Sequence, residues 1–249
     1  MAKRSQEFPI SQYLVEFKMK SIAITSNHPR HISFIEHISA AAGIEKVFVE
    51  EKPAGEERFT AREKEFFKDC KMPTNISLFK CKKGEINSAR IKKIIKEEKP
   101  DFIFTFGCSL LDSELVDIPS KSCVNIHTGL VQYHRGTDSS YWSIHEERPD
   151  RIGATVHVIN NTIDAGAVLV QSNTRGISKD DNADVVFFKT CVTGFKMLKD
   201  NMKNILDEKI ENKKLEKKGR LYQIKDMTKD IREEIEIKTL RVLMRRYNV

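Results

Sequence analysis

Asn125 and His127 stand two residues apart at the end of an apolar run, 123–127, and Asp164 sits at the turn between two further apolar runs, 154–159 and 167–170. On a strand, residues two apart face the same side. Asn125 and His127 are therefore expected to project together at the strand's C-terminal end, where open α/β sheets bind their ligands. An Asn amide donates hydrogen bonds to an oxyanion, and a His exchanges a proton near neutral pH. An Asp close to the His orients it and favours its charged form. Together the three suit attack by an amine on a carbonyl; the alternative is three buried polar groups that merely satisfy one another.

The three belong to a longer ordered set over about fifty residues: Asn125-Ile126-His127, Arg135-Gly136, Gly153-Ala154-Thr155-Val156-His157 and Asp164-Ala165-Gly166. The set resembles the folate-dependent formyltransferases, the group that acts on glycinamide ribonucleotide, methionyl-tRNA and nucleotide-linked amino sugars. The resemblance implies N10-formyltetrahydrofolate as formyl donor, with no metal. It implies catalytic roles for Asn125, His127 and Asp164. A loop containing Gly107, Cys108, Ser109 and Leu110 would wrap the folate ring system, largely through backbone groups. The turn containing Asn160 and Ile163 would hold the pterin and deliver Asp164. Tyr133, Arg135, Gly136 and Trp142 are the expected substrate contacts, Trp142 having a core anchor as its other reading. His157 reads as a hydrogen-bonded core histidine. One departure stands out. Where the family carries Pro-Ser-Leu-Leu-Pro, this chain has Thr128-Gly129-Leu130-Val131-Gln132, and a loop without the two prolines is expected to be more mobile.

In the mechanism so implied, a neutral amine attacks the formyl carbon. Asn125 and protonated His127 stabilise the oxyanion, and Asp164 holds His127 and helps relay a proton toward the leaving folate nitrogen.

The elements that must position these residues alternate along the chain. Strands are expected at Ser21–Ser26, 46–50, 76–79, 101–107, 123–127, 154–159 and 167–171, and helices from 27 to 42 and over 56–69, 85–98, 141–147, 181–206 and 227–249. Pro53-Ala54-Gly55 is a break, Phe59, Phe66 and Phe67 form an apolar face, and 129–138 and 208–218 read as a loop and a charged run. Alternation of this kind specifies an α/β class: a Rossmann-like, doubly wound, mostly parallel sheet (the formyltransferase fold) with a short helical C-terminal extension. The expected division is an N-terminal extension, 1–20, a catalytic domain, 21–206, and a charged, mainly helical extension, 207–249. Within 1–20, Phe8, Ile10, Tyr13, Leu14 and Phe17 offer a small apolar face. Pro29 suits a first helical turn capped by Asn27 or His28, and Arg30 and His31 would add to an anion site there.

Bulk properties narrow the functions. The chain has 249 residues, a formal net charge of +7 and 32% charged residues. No apolar run approaches the ~20 residues of a membrane span. The five cysteines form no C-x-x-C pair, so a disulfide framework or zinc site is not expected and a reducing cytoplasm fits. Cys108 is not marked as a nucleophile. The Gly/Ser-rich phosphate loop of glycinamide ribonucleotide enzymes is missing after the first strand, and the stretch after Leu206 reads mainly helical rather than as the tRNA-binding barrel of methionyl-tRNA enzymes. These features point to an amino-sugar N-formyltransferase whose partner is a nucleotide-linked amino sugar, with no membrane or nucleic-acid partner. The apolar stripe of the last helix (Ile231, Ile235, Leu240, Leu243) suits burial on the fold or in a homodimer. Formylation of another amine, such as glycinamide ribonucleotide or methionyl-tRNA, is the alternative, and a basic nucleic-acid-binding protein on a disused enzyme fold the remote one.

Overall fold

Ser21–Ser26 (β1) is buried at every position, as a strand covered on both faces must be. Around it a computed structural model, which describes residues 19–51 and 60–246, builds a seven-stranded sheet of order β3-β2-β1-β4-β5-β7-β8. The other strands are β2 (Lys46–Glu51), β3 (Ser77–Lys82), β4 (Phe102–Thr105), β5 (Ser122–His127), β7 (Gly153–Val158) and β8 (Val168–Asn173). The first five in that order are parallel, β7 runs antiparallel to β5, and β8 runs antiparallel to β7. A short strand, β6 (His134–Gly136), pairs in parallel with β9 (Arg220–Tyr222) in a separate two-stranded sheet.

The helices are α1 (Pro29–Ala42), α2 (Thr60–Phe66), α3 (Ala89–Glu98), α4 (Ser113–Val116), α5 (Ser139–His145), α6 (Ala183–Leu206) and α7 (Lys229–Arg246). Helices α1 and α6 cover one face of the sheet, over Ala23, Val47, Phe104, Val124 and Ile126. Helices α3 and α4 cover the other, over Ile22, Ile24, Phe48, Ile103 and Cys123. A separate cluster joins α5 and α7 through Tyr141, Trp142, Tyr222, Ile235 and Leu243. No helix among the described residues is long and apolar enough to cross a membrane.

Most expected elements appear, with corrections that have local causes. The helix expected over 85–98 is divided: a 3-10 turn, Glu85–Asn87, stops where the Ser88 side chain caps α3 by accepting from Ile91 N–H. The strand expected at 76–79 runs on to Lys82 because its register with β2 continues from Lys46↔Ser77 to Glu51↔Lys82. The span 129–138 is not all loop but contains β6. In the last helix Ile235 and Leu243 are buried, whereas Leu240 is 62% exposed, because the face that meets α5 is narrower than the expected stripe. Pro29 does open α1, after His28, which makes no side-chain cap bond. The expected apolar face within 1–18, the break at Pro53-Ala54-Gly55 and Phe59 lie outside the described residues.

Candidate functional site

The register of the sheet assembles the site. In β5, Asn125 lies between Thr105 of β4 and His157 of β7, and His127 lies opposite Thr155. Cross-strand partners share a face, so Thr155 and His157 join Asn125 and His127 on the side of the sheet away from α6. Asp164 comes from the β7–β8 connection. Its φ of 47° is in the left-handed region, unusual for a residue other than glycine, and neighbouring bonds hold it there. Gly136 N–H donates to Asp164 Oδ2 at 2.7 Å, and the Arg135 guanidinium donates to the Ile163 carbonyl at 2.8 Å.

The three expected catalytic residues come together. His127 Nδ1 lies 3.2 Å from Asp164 Oδ2, and His157 Nε2 lies 3.3 Å from Asp164 Oδ1. Asn125 Nδ2 is 3.2 Å from His157 Nε2, and Asn125 Oδ1 accepts from the Thr105 hydroxyl at 2.9 Å. That hydroxyl fixes the amide orientation: the oxygen turns to Thr105, so the two N–H groups of Asn125 face the site. His157 Nδ1 contacts the Val158 carbonyl at 3.0 Å; a carbonyl only accepts, so Nδ1 carries a hydrogen, and Nε2 stands between the Asn125 amide and the Asp164 carboxylate. His157 is a buried, hydrogen-bonded histidine as its sequence setting suggests, but its partners are two of the three catalytic candidates. The Gly-x-Thr-x-His motif was the signal. What sequence lacks is the antiparallel register that sets His157 opposite Asn125.

His127 is 5% exposed. Its Nε2 lies 3.1 Å from the His134 carbonyl and 3.0 Å from Ser139 Oγ. Burial pushes the His127 imidazolium down from its ordinary value, against the opposing pull of Asp164 and the His134 carbonyl. The expected preference for the charged form is therefore corrected: Asp164 orients the ring, but loss of water outweighs its charge. Burial would raise Asp164, yet His127, His157 and the Gly136 N–H together hold its carboxyl well below the usual carboxylate range. Near neutral pH the pair is a carboxylate facing a neutral ring that donates Nδ1–H. The Ser139 hydroxyl can then donate to Nε2. A second proton on Nε2 would find the His134 carbonyl already in place as acceptor, with the Ser139 hydroxyl turning its hydrogen away.

The expected substrate residues frame the site more than they open onto it. His134, in the same strand as Arg135 and Gly136, is 1% exposed because β6 pairs with β9 over it. Arg135 donates to the Gly219 carbonyl at 2.9 Å as well as to Ile163, which leaves further N–H groups on its half-buried guanidinium. A Cβ on Gly136, at φ 82°, would collide with the Tyr222 carbonyl. Tyr133 lies beneath the Arg151 guanidinium, 4.7 Å from its ring centroid. Trp142 is 4% exposed and stacks on Tyr222 at 4.0 Å between centroids, so it serves as the core anchor.

The loop without prolines is tied down rather than loose. Gln132 and Gln171 exchange amide hydrogen bonds of 3.1 and 2.9 Å, Gln171 also donates to the Thr155 hydroxyl at 2.7 Å, and that hydroxyl donates to the Gly129 carbonyl at 2.6 Å. Leu130 and Val131 are buried.

Gly107, Cys108, Ser109 and Leu110 form the loop after β4, with Leu110 69% exposed. Cys108 and Leu111 pack against the same cluster as Ile159, which brings this loop and the turn containing Asn160 to one side of the sheet. Within that turn Asn160 accepts from Thr162 N–H and donates to the Ala165 carbonyl. At the start of α1, Arg30 is bound to Glu63 at 2.7 Å and His31 Nδ1 lies 2.7 Å from the Thr25 hydroxyl. The expected addition of these two side chains to an anion site is therefore corrected: both are engaged within the protein.

A family model described as formyl transferase matches residues 20–189. A methionyl-tRNA formyltransferase of Kosmotoga olearia is 30% identical over 121 residues, 48% of this chain and 38% of that protein. Its similarity thus spans well under half of the relative's length. A sugar N-formyltransferase from Shewanella superposes with a TM-score of 0.62 at 22% identity, over 89% of this chain and 88% of that one. An N-formyltransferase from Helicobacter canadensis, in complex with folinic acid and dTDP-3-aminofucose, superposes with a TM-score of 0.59 at 17% identity, over 89% and 81% of the two chains.

Proposed function

Since the chain belongs to the formyl transferase family, we propose that it moves a formyl group from N10-formyltetrahydrofolate to the primary amine of a nucleotide-linked amino sugar. Such a product would serve surface polysaccharide biosynthesis, and the reaction would run in the cytoplasm. The observation that carries the reaction is the meeting of Asn125, His127 and Asp164 on one face of the sheet.

The residues present fit a folate donor. Among the described residues, the Ser109 carbonyl and the Leu111 N–H meet no hydrogen-bond partner of the protein, which suits the amide-like edge of a pterin. Gly107, Cys108, Ser109 and Leu110, with Asn160 and Ile163 on the opposite loop, are the residues that would hold it. The donor supplies an activated formyl carbon. Asn125 supplies an N–H, beyond the one directed at His157, to the oxygen on which negative charge develops. Neutral His127 would take a proton from the incoming amine and pass it to the departing folate nitrogen, with Asp164 fixing the ring and offsetting its transient charge. The spare N–H groups of Arg135 suit an anionic part of the acceptor.

An amino-sugar acceptor is favoured by the extent of likeness. The sugar N-formyltransferase fold runs over 89% of this chain, past the family match and into the segment that carries β9 and α7. Superposed structures of phosphoribosylglycinamide formyltransferases cover less of this chain, 78% and 76%. The methionyl-tRNA relative's 30% identity keeps methionyl-tRNA, and with it glycinamide ribonucleotide, as a second reading. The test is release of tetrahydrofolate on a panel of nucleotide-linked 3-amino and 4-amino sugars, beside complementation of strains lacking the tRNA or ribonucleotide activity. Turnover of a panel sugar supports the proposal. Complementation without sugar turnover replaces it with the second reading. Neither, together with salt-sensitive binding to nucleic acid, would turn attention to the net charge of +7.

A further inference from the structure

Glu50 is 1% exposed, and a carboxylate so buried requires partners. It stands near the end of β2, opposite Ser26 of β1, and takes no part in the reaction outlined above. Its two oxygens accept from two backbone amides that are far apart in sequence. Gly84 N–H donates to Oε1 at 2.8 Å, and Ser109 N–H donates to Oε2 at 2.6 Å. The second of these bonds pins the loop after β4.

The same loop is braced from a second direction. Asn87, half-buried in the 3-10 turn before α3, donates from Nδ2 to the Leu110 carbonyl at 2.8 Å and accepts at Oδ1 from Asp112 N–H at 3.0 Å. Two side chains outside the loop therefore fix the Ser109 amide, the Leu110 carbonyl and the Asp112 amide. These bonds orient the peptide planes between them, and the planes in turn aim the Ser109 carbonyl and the Leu111 N–H. Backbone groups recognise a ligand only when their directions are set beforehand, since fixing them on binding weakens affinity.

We propose that Glu50 and Asn87 are positioning residues for the formyl donor, holding residues 107–112 in the conformation that presents the Ser109 carbonyl and Leu111 amide to it. The inference rests on the folate reading given above. Neither residue approaches the catalytic side chains, so their effect falls on donor affinity and not on the acceptor.

The test is calorimetric titration of the full chain with folinic acid, alongside steady-state kinetics on the amino-sugar nucleotide that the panel identifies. Glu50→Gln replaces one accepting oxygen by a donor that faces an N–H. Asn87→Ala removes both of its bonds. Asn87→Asp keeps the acceptor for Asp112 and loses the donor to Leu110. Each of Glu50→Gln and Asn87→Ala is expected to weaken folinic acid binding tenfold or more, with the KM of the acceptor changed less than twofold, and Asn87→Asp should fall between Asn87→Ala and wild type. If buried Glu50 does not tolerate substitution, the half-buried Asn87 pair decides alone. Unchanged folinic acid affinity, or equal losses for donor and acceptor, overturns the positioning role. Wild type that binds no folinic acid instead overturns the folate reading itself.

Discussion

Replacing Asn125 by Ala leaves the strand intact, because the side chain is half-buried and its bonds run to Thr105 and His157. What is lost is the amide hydrogen directed at the site. The expected outcome is a fall in kcat of about 10²–10³, with little change in folinic acid affinity, read by steady-state kinetics and titration together. His127 belongs to the same scale and titrates in an informative direction. Burial lowers both His127 and His134 below their ordinary value of 6.5. A lowered group binds fewer protons folded than unfolded, so the stability it contributes is complete above 6.5 and is lost as pH falls through and below that value. Asp164, also lowered, adds its own loss only in more acid solution, below its ordinary 3.8. Thermal melts from pH 7.5 to 5.5 should show a falling midpoint, with a shallower slope in His127→Gln; a midpoint that rises on acidification contradicts the assignment. At this scale the sequence spoke clearly for Asn125, His127 and Asp164, whose types and spacing describe a chemistry. It was silent on Ser139 and Thr105, which matter only through what they touch.

Elements supplied the next level of legibility. Continuous apolar runs announced β1, β4 and β5, and the helix stripes announced α1 and α6, because each pattern records burial directly. Boundaries set by a single side chain were not visible in advance: the Ser88 cap divides one expected helix, and β6 exists only through its partner. The segment after β5 shows the same dependence on neighbours. Lacking prolines, it is held instead by the Gln132–Gln171 amide pair and by close approach at Gly129. A Cβ on Gly129 would meet Ser139 Cβ and would come within 2.5 Å of His127 Nε2. Gly129→Ala is therefore expected to cost about 1–3 kcal/mol of stability and to lower activity further by displacing His127. Chemical denaturation checks the first effect and kinetics the second. An unaltered enzyme would mean that Ser139 moves aside without penalty.

For the molecule as a whole, the C-terminal segment is where patterns said least. Its apolar residues suggested burial without saying against what. The structure gives the answer in Trp142 and Tyr222, stacked between α5 and β9, with the Tyr222 hydroxyl donating to Glu146 at 3.0 Å. Tyr222→Ala removes the centre of that cluster and should destabilise by about 3–5 kcal/mol, as large aromatic deletions do. Because Trp142 is the chain's single tryptophan, its emission should shift to longer wavelength as the ring loses its cover. A Tyr222→Phe variant keeps the stack and should retain the native emission. Were both variants to melt like wild type, the cluster would be peripheral to folding.

The pairing of β6 with β9 also has a temporal side. Gly136 holds Asp164 through its N–H while facing Tyr222 in the two-stranded sheet. On the ribosome, Asn125, His127 and Asp164 are all polymerised well before Tyr222 appears. A nascent chain thus contains all three of these groups before the strand that clasps their scaffold, and the geometry that Gly136 gives Asp164 is completed only once β9 has been made.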